Sequence, residues 1–277
     1  MSRRLFLLSI LVFSAVASLT AQVQIHLGVT TGYNATFILD EGLSEAPRYN
    51  SKTTYNWAPV GFNAGIDFTR KFGLSIESIL SKQGQVFEII DVADKIVGNR
   101  TIDLEYIHLP LLVRFMNEGN SGVRGNFNVG PQLSILTNAS DIIQYSASTQ
   151  TFPDGATLPA GSTEIVQHPD GTTTARVPAL NPRELMSKEA NSFKNAEFQI
   201  AAAFGLDIDI TRRMFISVQA RGNYSLTDMR NGDVINKLKQ GESGDVFGKR
   251  ANLVVGVQGG LHFVFGTTRS FKYKGSR

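Results

Sequence analysis

The side chains that could do chemistry are scattered along this chain rather than clustered. Four histidines, His26, His108, His168 and His262, are the candidate bases and metal ligands. A protein zinc site takes three or four ligands. His26 and His262 have no histidine or carboxylate close by in sequence. Packing where the first and last strands meet is therefore expected of both, and no metal is expected. A serine hydrolase needs Ser, His and an acid on one face of neighbouring strands, and the Gly-x-Ser-x-Gly elbow is absent. The 277 residues hold no Cys, which excludes a cysteine nucleophile, thiolate zinc sites and disulfides together. No catalytic or cofactor-binding residue is assigned, and no cofactor is implied.

Five charged residues stand apart, because they interrupt a regular pattern. Asp67, Glu77, Arg114, Asp207 and Arg221 share the phase of Gly, Ala, Asn and Gln in runs whose alternate positions are apolar. Ionised groups forced into a narrow interior must pair. A polar network through Glu77, Arg114 and Arg221 is expected to plug the space they face.

The elements that would position these charges alternate with period two. Over residues 252–265, Leu253, Val255, Val257, Leu261, Phe263 and Phe265 face one way, and Asn252, Gln258 and His262 the other. Residues 197–210 and 217–226 read likewise, and such alternation is the strand signal. Similar runs occupy about 23–37, 55–69, 72–83, 101–116 and 125–137, which makes eight. The connections between them alternate short and long. Residues 70–71, 117–124 and 211–213 are brief, whereas 39–54, 84–100, 138–194 and 227–250 are long and polar. An outer-membrane barrel predicts this asymmetry, with tight periplasmic turns and long outer loops. The fold class is all-β: an eight-stranded antiparallel up-and-down transmembrane barrel, its apolar face on lipid. Eight strands leave an interior filled by side chains. Pro110 and Pro131 lie inside strand runs, where a missing N–H calls for a bulge or a ladder break.

Residues 1–21 read as a signal peptide. Arg3 and Arg4 precede a short apolar run, and Ala15-Val16-Ala17 and Ala21 supply small residues for cleavage. That run is too short to span about 30 Å of hydrocarbon as a helix. Hydrophobic residues make up 42% of the chain and charged residues 18%, and mean hydropathy is −0.06, which excludes a polytopic helical membrane protein. Of the formal charge of +3, two units belong to Arg3 and Arg4, and four basic residues fall in 267–277. The remainder is acidic, so nucleic acid is not an expected partner. Residues 22–266 form the barrel, 139–193 a long extracellular loop, and 267–277 a basic periplasmic tail. Within the loop, residues 164–168 and 173–177 flank Pro169-Asp170-Gly171, a turn suited to a hairpin.

Three segments carry a family resemblance. Tyr106-Ile107-His108-Leu109-Pro110-Leu111-Leu112 resembles the fourth-strand motif of PorT-family barrels of the Bacteroidetes. Asn128-Val129-Gly130-Pro131-Gln132-Leu133-Ser134 is similar to that family's Gly-Pro strand, and Ser225-Leu226-Thr227-Asp228 to the end of its seventh strand. The resemblance implies the outer membrane of a Gram-negative bacterium, with lipid around the barrel. Some members assist type IX protein secretion. A non-enzymatic accessory barrel is therefore expected, meeting an envelope partner through its outer loops or periplasmic tail. A small outer-membrane enzyme or solute channel is the alternative.

Overall fold

The computed structural model describes residues 23–117, 122–242 and 248–266. The expected signal peptide and basic tail lie outside these residues. In chain order the elements begin with β1 (Gln24–Asp40), α1 (Glu41–Glu45), β2 (Tyr49–Lys52), β3 (Thr54–Asp67) and β4 (Phe72–Ile90). Next come β5 (Ile96–Met116), β6 (Val123–Tyr145), β7 (Ser148–Phe152), β8 (Thr163–Gln167), β9 (Thr173–Val177) and β10 (Arg183–Ser187). The chain then runs through β11 (Ala196–Thr211), β12 (Met214–Ser225), α2 (Gly232–Lys239) and β13 (Arg250–Gly266).

Eight of these strands close into an antiparallel ring in the order β1-β3-β4-β5-β6-β11-β12-β13. The seam between first and last strands is continuous, from Gln24↔Gly266 to Asp40↔Arg250. Every strand of the ring pairs with two neighbours, so no free edge strand lies in the hydrocarbon core. The short turns fall at one end. Between β3 and β4 the Thr69 hydroxyl accepts from the backbone N–H groups of Lys71 and Phe72, at 3.1 and 3.0 Å.

The wall is taller than the alternation in sequence suggests. A membrane-crossing strand needs about 9–11 residues, but β4, β5 and β6 have 19, 21 and 23. Residues 84–100 are thus not a polar loop. They continue β4 and β5 as a hairpin, closed by a turn in which the Asp91 carboxylate accepts from the N–H groups of Ala93 and Lys95. Likewise the first eight residues of 138–194 extend β6. The amphipathic sense of the wall inverts on the way up. In β5, Ile107, Leu109, Leu111 and Val113 point out while His108 and Arg114 point in. One step higher Glu105 and Asp103 point out and Leu104 and Ile102 point in. The Lys82–Glu105 ion pair at 2.9 Å marks the change. Below it the barrel is built for lipid, above it for water.

The projecting mouth has its own apolar core. Ile38, Phe87, Ile102 and Leu104 from the wall enclose Leu43 of α1, Met186 of β10, Phe193 and Met229. The loops therefore fold into the mouth and cap it. Beyond the cap, β7, β9 and β8 form a separate three-stranded sheet, with residues 169–171 at the β8–β9 turn.

At Pro110 and Pro131, where a missing N–H calls for a bulge or a ladder break, the β5–β6 ladder is interrupted without a bulge. Pro110↔Gln132 and Val113↔Val129 keep one register, so the ladder skips positions and resumes without an inserted residue. The β5–β6 register shifts instead beside Thr137, where Glu105 pairs Asn138 and Tyr106 pairs Leu136. A second shift lets Pro59 and Val60 of β3 oppose Thr31 alone. Pro59 sits inside that bulge, where its missing donor costs no ladder bond.

Candidate functional site: the barrel bore

The period-two pattern sends alternate side chains inward, so the bore is lined by layers of polar groups. Asp67, Glu77, Arg114, Asp207 and Arg221 are all buried there. They form two clusters rather than one.

In the periplasmic half, Arg114 of β5 is the hub. It donates to Asp67 of β3 at 3.2 Å and to Asp207 of β11 at 3.0 Å, and it touches His26 of β1. Asn126 adds a 2.8 Å bond to Asp207, and Arg124 lies 3.5 Å from the same carboxylate. His26 stands 3.8 Å from Asp67, a carboxylate neighbour that the sequence does not reveal. The His26, Phe215 and His262 rings pack on one another, with His262 stacked on Phe215 at 4.4 Å. Among the described residues no group of three or more metal-ligating side chains is gathered.

At mid-height Arg221 of β12 pairs with Glu77 of β4. It also donates to Gln258 at 2.9 Å, Gln132 at 3.2 Å and Asn223 at 3.2 Å. Asn63 donates to the other Glu77 oxygen at 3.1 Å. Arg114 belongs to the lower cluster and takes no part here. Above this layer His108 meets Ser134 at 2.8 Å through Nδ1 and the Gln83 amide at 2.6 Å through Nε2. That is a serine–histidine contact whose far nitrogen faces an amide, where a hydrolase triad would place an acid. Higher still, Tyr106 donates to Glu197, which also accepts from Ser225 at 2.8 Å.

A third charged cluster, which the sequence reading missed, closes the mouth. Arg100 donates twice to Asp141, at 2.7 and 2.6 Å. Arg250 bridges Asp141, at 3.0 Å, and Asp40. All four are essentially fully buried. Just above, Asp228 accepts from the Arg230 side chain at 2.8 and 3.1 Å and from the Arg250 backbone N–H at 3.0 Å. Burial pushes the Asp228 carboxyl up, but these bonds outweigh it and hold the group below the usual aspartate value of 3.8. The signal that could have shown this cluster is the inverted alternation around Arg100, with Ile102 and Leu104 in phase with the charge.

The family model of the outer membrane protein beta-barrel domain matches residues 20–231. The chain belongs to that family. No curated protein matches this outer-membrane barrel. Among solved structures it is similar to Neisserial surface protein A (NspA), at 7% identity and TM-score 0.39, covering 87% of this chain and 97% of that one. The outer membrane protein OprG of Pseudomonas aeruginosa is similar at 11% identity and TM-score 0.40, covering 88% and 96%. The outer membrane protease OmpT of Escherichia coli matches at 10% and TM-score 0.37, covering 88% and 96%.

As a barrel of the Gram-negative outer membrane, the protein shows the bilayer where it belongs. Near the periplasmic turns Phe115 meets Phe72 edge-on at 6.0 Å and stacks on Phe127 at 6.4 Å. Tyr33, Tyr55 and Trp57 group on the outer side, at 6.1 and 6.4 Å. Two such aromatic girdles bound the lipid-facing band of a membrane barrel. Phe204, Leu206, Val255, Val257 and Leu261 are exposed on the outer surface of the same wall.

Proposed function

We propose that this barrel is a PorT-like accessory component of an envelope complex, of the kind that serves type IX secretion, and that it works by holding a protein partner. The observation that carries this reading is the bore. Its charged groups are committed to one another in three tiers, and loops cap the mouth with apolar side chains. Such an interior acts as a rigid support rather than as an aqueous path. The working surface is then outside. The sheet of β7, β8 and β9 stands beyond the mouth, and every residue of β8 is exposed, with Ile165 and Val166 among them. β8 is an edge strand, and such an edge can take a partner strand. The basic residues of 267–277 offer a second, electrostatic contact in the periplasm. The PorT-like segments and the absence of a Gly-x-Ser-x-Gly elbow favour a non-enzymatic role.

Crosslinking in outer membranes, followed by purification and mass spectrometry, tests the proposal. A chain lacking residues 148–177 should still insert and should lose an envelope partner that the full chain retains. A partner list unchanged by that deletion and by removal of 267–277 would contradict it.

A further inference from the structure

The β3–β4 ladder runs from Asp67↔Gly73 up to Gly61↔Ile79 and stops there. Pairing on that side of β4 resumes only at Lys52↔Val86, and its partner is then β2. Residues 53–60 and 80–85 therefore face each other without a ladder, eight residues against six. The longer lip contains the Pro59 bulge and is paired with β1 over residues 54–58. The shorter lip is held by continuous pairing with β5.

The gap lies where the wall leaves the lipid. Leu80 at its lower edge is an exposed apolar residue, and Lys82 is in the ion pair that marks the change to water. Trp57 and Tyr55, on the β3 lip, belong to the outer aromatic group. Behind the gap lies a cavity of about 20 Å³, room for one water-sized polar group. Thr31 and Ala58 line it at the lip, Ser81 on the opposite strand, and Thr30, His108 and Arg221 inside. Thr31 points outward and donates to the Ala58 carbonyl at 3.0 Å. The Thr30 hydroxyl lies at the inner end of the gap, where a Cβ on Gly61 would come within 2.5 Å of it. It is buried and has no hydrogen-bond partner, an uncommon state for a buried hydroxyl. The Arg114 tier lies below the cavity and the Tyr106–Glu197 pair above it.

We propose that the β3–β4 gap is a lateral port from the outer leaflet into a polar chamber, which binds the hydroxyl head of an uncharged amphiphile whose alkyl tail stays in lipid. The entrance opens on the apolar band and its aromatic border, so the ligand arrives from the membrane. The head is uncharged because Glu77 already neutralises Arg221, and a further buried charge would have no counter-ion. Thr30 is the group whose hydrogen bond the ligand completes. This reading is independent of any protein partner.

Trp57 is the chain's one tryptophan, so its emission reports on the lip directly. The full barrel in phosphatidylcholine vesicles, titrated with dodecan-1-ol, should show a saturable shift of Trp57 emission that dodecane does not produce. Ser81→Leu should fill the chamber and remove the saturable component. Thr30→Val keeps the shape of the site and should raise the half-saturating concentration about fivefold, as befits one lost hydrogen bond. If Ser81→Leu does not fold, Thr30→Val carries the test alone. A response that rises in proportion to alcohol in the bilayer, or that Thr30→Val leaves unaltered, would overturn the proposal. Equal saturation by dodecyltrimethylammonium would overturn the uncharged head.

Discussion

Arg221 and Glu77 meet across the full width of the bore. Their strands, β12 and β4, are four steps apart in a ring of eight, and the residues are 144 positions apart in sequence. One ion pair therefore ties opposite walls together at mid-height. With the Arg114 tier below and the Arg100–Asp141–Arg250–Asp40 tier above, the interior is a stack of cross-braces.

Removing one member of the mid-height pair should cost far more than removing both. Arg221→Met leaves Glu77 buried without its counter-ion and should destabilise the barrel by about 3–5 kcal/mol. Glu77→Gln in the same chain should restore most of that. Urea unfolding in lipid vesicles, carried through the double-mutant cycle, measures the coupling. A small, additive loss for the two single variants would show that the pair is not a brace.

The face assignment has a depth dependence that can be read by substitution. Val257 is 57% exposed within the apolar band, and Val257→Arg should cost about 2–4 kcal/mol. Asn99 is exposed above the Lys82–Glu105 level, and Asn99→Arg there should change stability by about 0.5 kcal/mol or less. Equal costs at the two sites would mean that the lipid boundary is misplaced.

These contrasts show what the sequence made legible. Period two alone sorted Glu77, Arg114 and Arg221 onto one face, because parity along a strand is local information. Which of them meet depends on stagger and closure of the ring, which no single run of residues encodes. Arg114 therefore pairs with Asp67 and Asp207 instead of joining Glu77. The mouth was hidden for a different reason. Around Arg100 and Asp141 the alternation continues but its sense inverts, so a template seeking apolar residues outside reads those strands as polar loops. Register shifts fall beside Pro59, Thr137, Ile89 and Asp209, positions fixed by how neighbouring strands count against each other.

The Asp228 carboxyl gives the mouth a pH dependence with a definite sign. Its folded value lies below its unfolded one, so its contribution is present above about pH 4 and is lost as pH falls through the folded value. The protection factors of the Arg230 and Arg250 amides, whose N–H groups bond this carboxylate, should fall on acidification below about pH 4. Asp228→Asn should lower that protection already at neutral pH. Protection factors that stay constant through that range in the native chain would contradict the assignment.

Protease added to intact cells should distinguish two basic sites in the loop after β6. The Arg176 side chain is mostly exposed, paired only with the equally exposed Glu164. Lys188 is tied down, its Nζ donating to the Leu136 and Thr137 carbonyls at 3.0 and 2.8 Å. Trypsin should cut at Arg176 first and leave the barrel embedded. Protection of Arg176 until the cells are lysed would reverse the topology.

Planar-bilayer recording tests the closed bore most directly. Purified barrel inserted at increasing protein density should give no unitary conductance, since three ion-paired tiers and an apolar cap stand in series along the axis. Stable, uniform current steps from the native chain, scaling in number with inserted protein, would contradict the account.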